Sequence, residues 1–207
     1  MKKTLLTILH FLCFVLVGQA QVMTPVDPPT INTSVDENKN TGASTNSNCK
    51  LVFNYGGLAS AQSAHPEYMV YDVKDMTASE LKASVLNTIS SMYKSPKDVV
   101  TNLSDNMIQL EAYMPRVFYK RTGSSSYPID FIFTWTIQFK DNKIRINVPS
   151  VKKMWATRVP IMGTLDFDMS KPLSILVDDN TDRTLLTSKL NDLVKAICEN
   201  AKSANDW

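Results

Sequence analysis

The chain has 207 residues, of which 43% are hydrophobic, and its 22 Lys and Arg residues nearly balance its 20 Asp and Glu residues for a net charge of +2. Lys2 and Lys3 belong to an N-terminal segment that we predict to be removed, which leaves 20 cationic against 20 acidic residues. Nucleic-acid-binding domains usually carry a clustered basic excess, so this balance argues against a polyanionic partner and predicts no nucleic-acid binding.

Residues 1–20 have the organisation of a secretory signal peptide. Two lysines form a cationic start, residues 5–17 form an apolar run with one interruption at His10, and Gly18 and Ala20 are small residues at the spacing that signal peptidase accepts. We therefore expect cleavage before Gln21 and a periplasmic or secreted protein.

Two other interpretations of this segment fit less well. A membrane anchor needs about 17 to 25 apolar residues, and the run is shorter, so we predict no stable membrane span after cleavage. A lipoprotein would use Cys13 as the lipidated residue, but such sites want a small residue before the cysteine, and Leu12 stands there. Soluble export is the better prediction.

The mature chain is predicted to consist of a polar tether over residues 21–50 and one α+β domain over residues 51–207. The tether is rich in Thr, Asn, Ser and Pro and contains no aromatic residue. Such a segment buries too little apolar area to offset its ordering entropy.

Cleavage leaves Cys49 and Cys198, which could form one bridge in an oxidising compartment. The alternative is two unpaired thiols, with Cys198 buried on a helix.

The first elements of the domain are a strand over residues 68–73 and a helix that follows it. Thr77 and Glu80 form a capping box at the start of this helix, and Pro96 ends it. Apolar residues fall on one helical face, which we expect to be buried. They are Leu81, Val85, Ile89 and Met92.

A hairpin is predicted next, with strands at residues 99–104 and 107–114 and a two-residue turn at Asp105 and Asn106. A turn of that length would pair Leu103 with Ile108 and Thr101 with Leu110. Residues 121–128, with the sequence RTGSSSYP, are predicted to be a loop from their composition.

Residues 131–149 carry the clearest pattern in the chain. Odd positions are apolar and even positions are mainly polar, in the row Phe131, Phe133, Trp135, Ile137 and Phe139. A tight turn at Asp141 and Asn142 would bring two strands together with matched polarity. The predicted pairs are Phe139 with Ile144, Ile137 with Ile146, Trp135 with Val148, Gln138 with Arg145 and Thr136 with Asn147. Because a one-residue slip would expose the aromatic row, the pattern predicts a hairpin with one buried face rather than a ligand site.

Beyond Pro149 the apolar residues have no clean period until the last helix. Residues 150–178 are broken by Pro160, Gly163 and Pro172, with one further strand predicted near residues 163–167. A helix is predicted over residues 182–203, with an apolar stripe on one side and Asp and Thr residues capping its start. The stripe is Leu186, Leu190, Leu193, Ile197 and Ala201.

Taken together, residues 67–148 resemble a family of exported bacterial domains of unknown function that is described as having a TATA-binding-protein-like fold. The residues that carry the resemblance are Glu80 with Leu81 in the helix, and Lys140, Asp141 and Arg145 around the turn. This chain has Asn142 where the family usually has Gly and Lys143 where it usually has Arg. The resemblance implies an α+β fold with a curved antiparallel sheet and helices packed on one face. It implies no activity and no DNA binding.

The common catalytic and metal-binding patterns are missing from the mature sequence, so we predict no catalytic residues, no metal site and no cofactor. His65 is its sole histidine and stands in a loop segment, which is too few ligands for a zinc site of common type. A calcium loop starting at Asp178 fails because Arg183 replaces the required Gly and Lys189 the required Glu. Asp166 and Asp168 could form a carboxylate pair on one strand face.

Two functions follow as hypotheses. The first is an exported noncatalytic module that binds an envelope protein or a glycan, with a site on the polar face of the sheet at Gln138, Lys140, Lys143 and Arg145, joined by Lys120 and Arg121. The second is a hydrolase of the periplasm or cell exterior that uses Asp166 and Asp168.

Overall fold

The computed structural model describes residues 49–159 and 163–203, so the predicted signal peptide and nearly all of the predicted tether lie outside the described residues. The helices in this part are α1 (Ala78–Met92), α2 (Pro96–Val99), α3 (Leu173–Leu176) and α4 (Asn180–Ser203). The strands are β1 (Leu51–Asn54), β2 (Gly57–Ser60), β3 (Tyr68–Asp72), β4 (Val100–Ser104), β5 (Met107–Thr122), β6 (Ser125–Lys140), β7 (Lys143–Asn147), β8 (Ser150–Val159) and β9 (Gly163–Asp166).

Strands β3 to β9 form a seven-stranded antiparallel sheet built around β6. One edge of β6 pairs with β5, which pairs in turn with β4. The other edge forks: residues Ile137–Lys140 pair with β7 and then β3, whereas Ile129–Thr134 pair with β8 and then β9. Both long helices contact strands of this sheet, and we call the side opposite these two helices the outer face. The predicted fold class, an α+β antiparallel sheet with helices on one face, is confirmed.

The alternation read from residues 131–139 is confirmed in β6. All five apolar side chains of the row are at most 1% exposed, and Phe131 stacks on Phe133 with ring centroids 5.4 Å apart. Each such burial stabilises the fold by about 1.5 to 3 kcal/mol. Asn142 has a φ of 64°, a left-handed conformation that Asn tolerates in tight turns, and the same turn also contacts the start of α1. Asp141 accepts a hydrogen bond from the backbone of Ala78 at the start of α1.

Three of the five predicted pairs in this hairpin are present: Phe139 with Ile144, Ile137 with Ile146, and Gln138 with Arg145. The pairs of Trp135 with Val148 and Thr136 with Asn147 are wrong. The β6–β7 ladder stops at Ile137 because residues Ile129–Thr134 of β6 pair with β8 along the same edge. The backbone N–H of Val148 instead donates to the carbonyl of Glu67.

The predicted register of the β4–β5 hairpin is also wrong by one residue. Leu103 lies in a β-bulge and is 48% exposed, so Asn102 pairs with Ile108 and Thr101 with Gln109. A bulge adds one residue to a strand and is not visible in a simple count outward from the turn.

The loop predicted at residues 121–128 is instead the closed end of the β5–β6 hairpin. The ladder continues through Lys120 with Tyr127 to Thr122 with Ser125, and Gly123 turns the chain with a φ of 60°. Composition misled the prediction because Ser and Thr are common in loops, whereas here a sixteen-residue partner strand supplies the hydrogen bonds.

Helices α1 and α4 pack on each other and on the buried side of the sheet. Helix α1 carries the predicted capping box, in which Thr77 and Glu80 exchange side-chain and backbone hydrogen bonds. The predicted stripe of α4 is buried throughout, and the Asp179 carboxylate accepts the N–H groups of Thr181 and Asp182 at its start. A separate two-stranded sheet, β1 with β2, is attached to α4 through the side chain of Asn191.

Candidate functional site

The four residues predicted as a binding site lie together on the β6–β7 hairpin. Gln138 is directly opposite Arg145, and Lys140 is directly opposite Lys143. Arg145 is half-buried, and its guanidinium carbon lies 3.7 Å from the ring centroid of Tyr68 on β3. Lys143 forms an ion pair with Asp72 at 3.5 Å. The structure therefore groups these side chains, and a binding role for them stays a prediction.

Lys120 and Arg121 do not join this group, because they lie at the opposite end of the β5–β6 hairpin. Gln138 pairs with Met107 at the start of β5, whereas Lys120 pairs with Tyr127 near its end. Lys120 donates to the carboxylate of Asp178 at 3.1 Å, and this hydrogen bond is the main reason that the pKa of Asp178 is lowered.

A buried carboxylate on the outer face marks a second group of side chains. Asp130 lies in the middle of β6, is 5% exposed, and uses both of its oxygens. One accepts the hydroxyl of Tyr113 at 2.7 Å, and the other accepts the backbone N–H of Arg116 at 2.8 Å. Arg116 has a φ of 48° and lies where the β5–β6 register shifts, so Asp130 satisfies the backbone of a bulge.

The backbone carbonyl of the bulge residue Arg116 is bound from the helix side of the sheet. Lys189 of α4 donates to the backbone carbonyl of Arg116 at 2.7 Å. Burial and the nearby Arg116 charge lower the pKa of Lys189, and the Asp130 carboxylate partly opposes them. Burial, and then the hydrogen bond to Asp130, raise the pKa of Tyr113 well above its usual range. The Tyr113 phenol therefore stays protonated and remains a donor.

Two aromatic rings meet above Asp130. Tyr113 of β5 and Trp155 of β8 come from the strands on either side of β6, and Asp130 pairs with Trp155 in the ladder. Their ring centroids are 5.6 Å apart and their planes differ by 13°. The rings thus cover the carboxylate while remaining half-buried themselves.

These residues form a cleft of about 450 Å³ on the outer face. We call it the outer-face cleft; it is lined by Asp98, Glu111, Tyr113, Asp130, Ile132, Trp155 and Thr157. Glu111 forms an ion pair with Lys152 at 2.7 Å, and Asp98 is an exposed residue of α2. The lining therefore combines aromatic faces, carboxylate acceptors and one hydroxyl group.

A lysine from β8 borders the cleft. The Lys153 ammonium lies 5.3 Å from the Trp155 ring centroid and 3.3 Å from a carboxylate oxygen of Asp166. Both partners of this ion pair are about half exposed, so it is a weak surface interaction.

The predicted carboxylate pair of Asp166 and Asp168 does not share a strand face. Strand β9 ends at Asp166, and Asp168 lies beyond it in a turn, where it accepts hydrogen bonds from the hydroxyl and backbone N–H of Ser170. Those bonds lower the pKa of Asp168. The two carboxylates would share a face only if the strand continued to residue 168, and it ends at Asp166.

The remaining residues named from the sequence occupy other places. His65 is exposed and stacks on Tyr68 with ring centroids 4.4 Å apart. Within residues 49–159 and 163–203 there is no group of three or more His, Cys, Asp or Glu side chains placed to hold a metal ion. In the same part of the chain, no helix has both the length and the apolar character that crossing a bilayer requires.

The sequence predictions missed Tyr113, Asp130 and Trp155. A signal for Asp130 existed, since Asp is depleted inside strands and here it interrupts an otherwise strand-like run. No local signal connects the three, because they come from three strands whose adjacency is set by the fork of β6.

No family model matches the chain, and no curated protein matches it. Two solved structures resemble it. A TBP-like protein from Parabacteroides distasonis is 11% identical with a TM-score of 0.47, over 65% of this chain and 90% of that one. A DUF4468 family protein from Bacteroides ovatus is 7% identical with a TM-score of 0.36, over 74% of this chain and 90% of that one. The first carries the fold name that the sequence resemblance implies, and neither informs the function of this chain.

Proposed function

We propose that this protein is an exported, noncatalytic module that binds an envelope glycan in the outer-face cleft. The observation that carries the proposal is the cleft itself, in which Tyr113 and Trp155 stand beside carboxylates on the side of the sheet opposite α1 and α4. Its residue types, more than its size, favour this class of ligand.

Sugar rings present apolar C–H groups on their faces and hydroxyl groups around their edges. The exposed parts of the Tyr113 and Trp155 rings suit the first, because aromatic rings combine a large apolar surface with a fixed shape. The carboxylates of Asp98 and Glu111 and the hydroxyl of Thr157 suit the second, since ionised carboxylates accept several hydrogen bonds. A mostly apolar cleft with a few polar groups is the usual form of a small-ligand site.

The engagement of the carboxylates supports a noncatalytic role. General acid and base catalysis needs a carboxyl group that can exchange a proton with the substrate. Both oxygens of Asp130 are committed to Tyr113 and Arg116, and Glu111 is paired with Lys152. Asp130 and Glu111 therefore each have a structural explanation that involves no chemistry.

The alternative function, a carboxylate-dependent hydrolase, has less support. Asp166 is paired with Lys153, and Asp168 is held in a turn by Ser170. The export of the protein to the periplasm or exterior rests on residues 1–20 alone.

The test is binding of the purified protein to a panel of bacterial envelope polysaccharides by affinity electrophoresis, compared with Trp155→Ala. We expect Trp155→Ala to weaken retention at least tenfold, because about 1.5 to 3 kcal/mol of aromatic burial is lost. Tyr68→Ala is the matched control, since it removes another aromatic residue of the same face outside the cleft. Its binding should equal that of the wild type.

Three outcomes would contradict the proposal. Retention by no polysaccharide would remove the glycan ligand. Retention that survives Trp155→Ala but is lost on charge reversal of Lys140 and Arg145 would move the site to the β6–β7 hairpin. Release of shortened sugars during the assay would show the hydrolase instead, and Asp166→Asn with Asp168→Asn would then test its residues.

A further inference from the structure

Two cysteines that are 149 positions apart in the sequence lie side by side in the fold. Cys49 is half-buried just before β1, and Cys198 is buried on α4. The Cys198 side chain lies within hydrogen-bonding reach of the Cys49 thiol and lowers its pKa. No disulfide bond joins the two residues in the structure.

Independent contacts place the start of the domain against the same helix. The side chain of Asn191 accepts the backbone N–H of Leu51 at 2.7 Å and donates to its carbonyl at 3.0 Å. Asn191 and Cys198 are seven residues apart, which is about two turns, so they lie on the same side of α4. Residues 49–51 therefore run along this side of α4 and are held there at two points.

We propose that Cys49 and Cys198 form a disulfide bond that joins the segment just before β1 to the last helix of the domain. The oxidant is a reactive disulfide, of a small thiol or of a thiol oxidoreductase. The proposal stands on the contact between the two thiols and needs no assumption about export. It goes beyond the proposed glycan site, which lies on the other side of the sheet.

The reaction is thiol–disulfide exchange in two steps. The thiolate of Cys49 attacks a sulfur of the oxidant, releases one thiol and forms a mixed disulfide. The thiolate of Cys198 then attacks the Cys49 sulfur and releases the second thiol. The new bond joins the two Sγ atoms, and the two protons and two electrons of the protein thiols leave with the reduced oxidant.

Cys49 is the better attacking group of the two. It is half-buried, whereas Cys198 is only 2% exposed, so an oxidant can reach it first. The hydrogen bond with Cys198 lowers the pKa of the Cys49 thiol, against burial, which raises it. A thiolate is the reactive form in exchange.

The bond would close a loop that contains nearly the whole domain. Long loops gain the most from closure in the chain-entropy account, and native disulfides typically contribute enough to raise the Tm of a domain of this size by about 5 to 15 °C.

The experiment uses the purified full chain, incubated with oxidised glutathione and digested without reduction for mass spectrometry. We expect a peptide pair linked through Cys49 and Cys198, and a Tm that falls by about 5 to 15 °C when the oxidised protein is reduced. Cys49→Ser should abolish both the linked pair and the dependence of the Tm on reduction.

Cys49→Ser is the informative variant because Cys49 is half-buried and its replacement should leave the fold intact, whereas Cys198 lies in the core. Cys198→Ala, which keeps that position apolar, should give the same loss of the linked pair. The proposal is overturned by a glutathione adduct that stays on Cys49, by a linked peptide that involves Cys13, or by the same Tm in both redox states.

Discussion

Asp130 lies on the outer face, but its hydrogen bonds should make it as important to stability as a core residue. Asp130→Asn keeps the shape of the side chain, removes its charge and leaves one carbonyl oxygen to serve Tyr113 and Arg116. Each hydrogen bond to a charged acceptor contributes about 1.5 to 3 kcal/mol, and the cost of burying the carboxylate offsets part of this sum. We expect a net loss of about 2 kcal/mol in the free energy of unfolding.

A double-mutant cycle isolates the bond to Tyr113. Tyr113→Phe should cost about 1 to 2 kcal/mol, and the pair with Asp130→Asn should cost less than the sum by about 1 kcal/mol or more. Urea unfolding followed by tryptophan fluorescence gives each value, provided that the slope with urea is unchanged.

Asp166→Asn is the control for this experiment, because Asp166 is exposed and forms one surface ion pair, with Lys153. Its cost should stay below about 1 kcal/mol. If Asp166→Asn destabilises the protein as much as Asp130→Asn, or if the cycle shows no coupling, then Asp130 does not hold the bulge in the way described.

Three further outcomes follow from the buried row, the helix cap and a buried phenol. Phe133→Ala should cost about 3 to 5 kcal/mol in urea unfolding, whereas Thr134→Ala, on the outer face, should cost less than about 1; equal costs would contradict the orientation of β6. Thr77→Ala should lower the free energy of unfolding by about 1 kcal/mol, and an unchanged thermal midpoint would count against the capping box. Burial raises the pKa of Tyr93 from 10.0 to about 12. The contribution of its neutral phenol to the free energy of unfolding is therefore complete below pH 10 and is lost as the pH rises towards 12. The wild type should lose stability faster than Tyr93→Phe in this window, by up to about 1.4 kcal/mol per pH unit, and parallel curves would refute the shift.

Local patterns were sufficient for the elements whose stability is local. The capping box of α1 and the apolar stripe of α4 both depend on residues within a few positions of one another, and both are confirmed. The alternation in residues 131–139 is of the same kind, since burial of one sheet face imposes a period of two on the chain itself.

Local patterns failed where a partner strand decides the outcome. The serine-rich end of the β5–β6 hairpin is strand because β5 lies beside it, and the pairing of β6 changes from β7 to β8 between Ile137 and Thr134. The bulge at Leu103 likewise depends on how β4 fits against β5. Each of these is a competition between hydrogen-bonded partners that are distant in the chain.

The predicted cationic site shows the same division. Gln138, Lys140, Lys143 and Arg145 share one hairpin, so their grouping followed from the turn between them. The outer-face cleft was not predicted, because its side chains come from α2, β5, β6 and β8. No spacing in the sequence connects residues that meet only across a sheet.

The amino-acid sequence by itself determined which face of β6 is buried and where the two long helices lie. Hydrophobic periodicity and helix capping depend on residues a few positions apart, so they can be recognised from a single sequence. The tertiary structure alone decided the fork of the sheet, the cover over Asp130 and the contact of Cys49 with Cys198. These features depend on which distant segments pair with the same strand edge or pack against the same helix face. That choice is made by the packing of the whole domain.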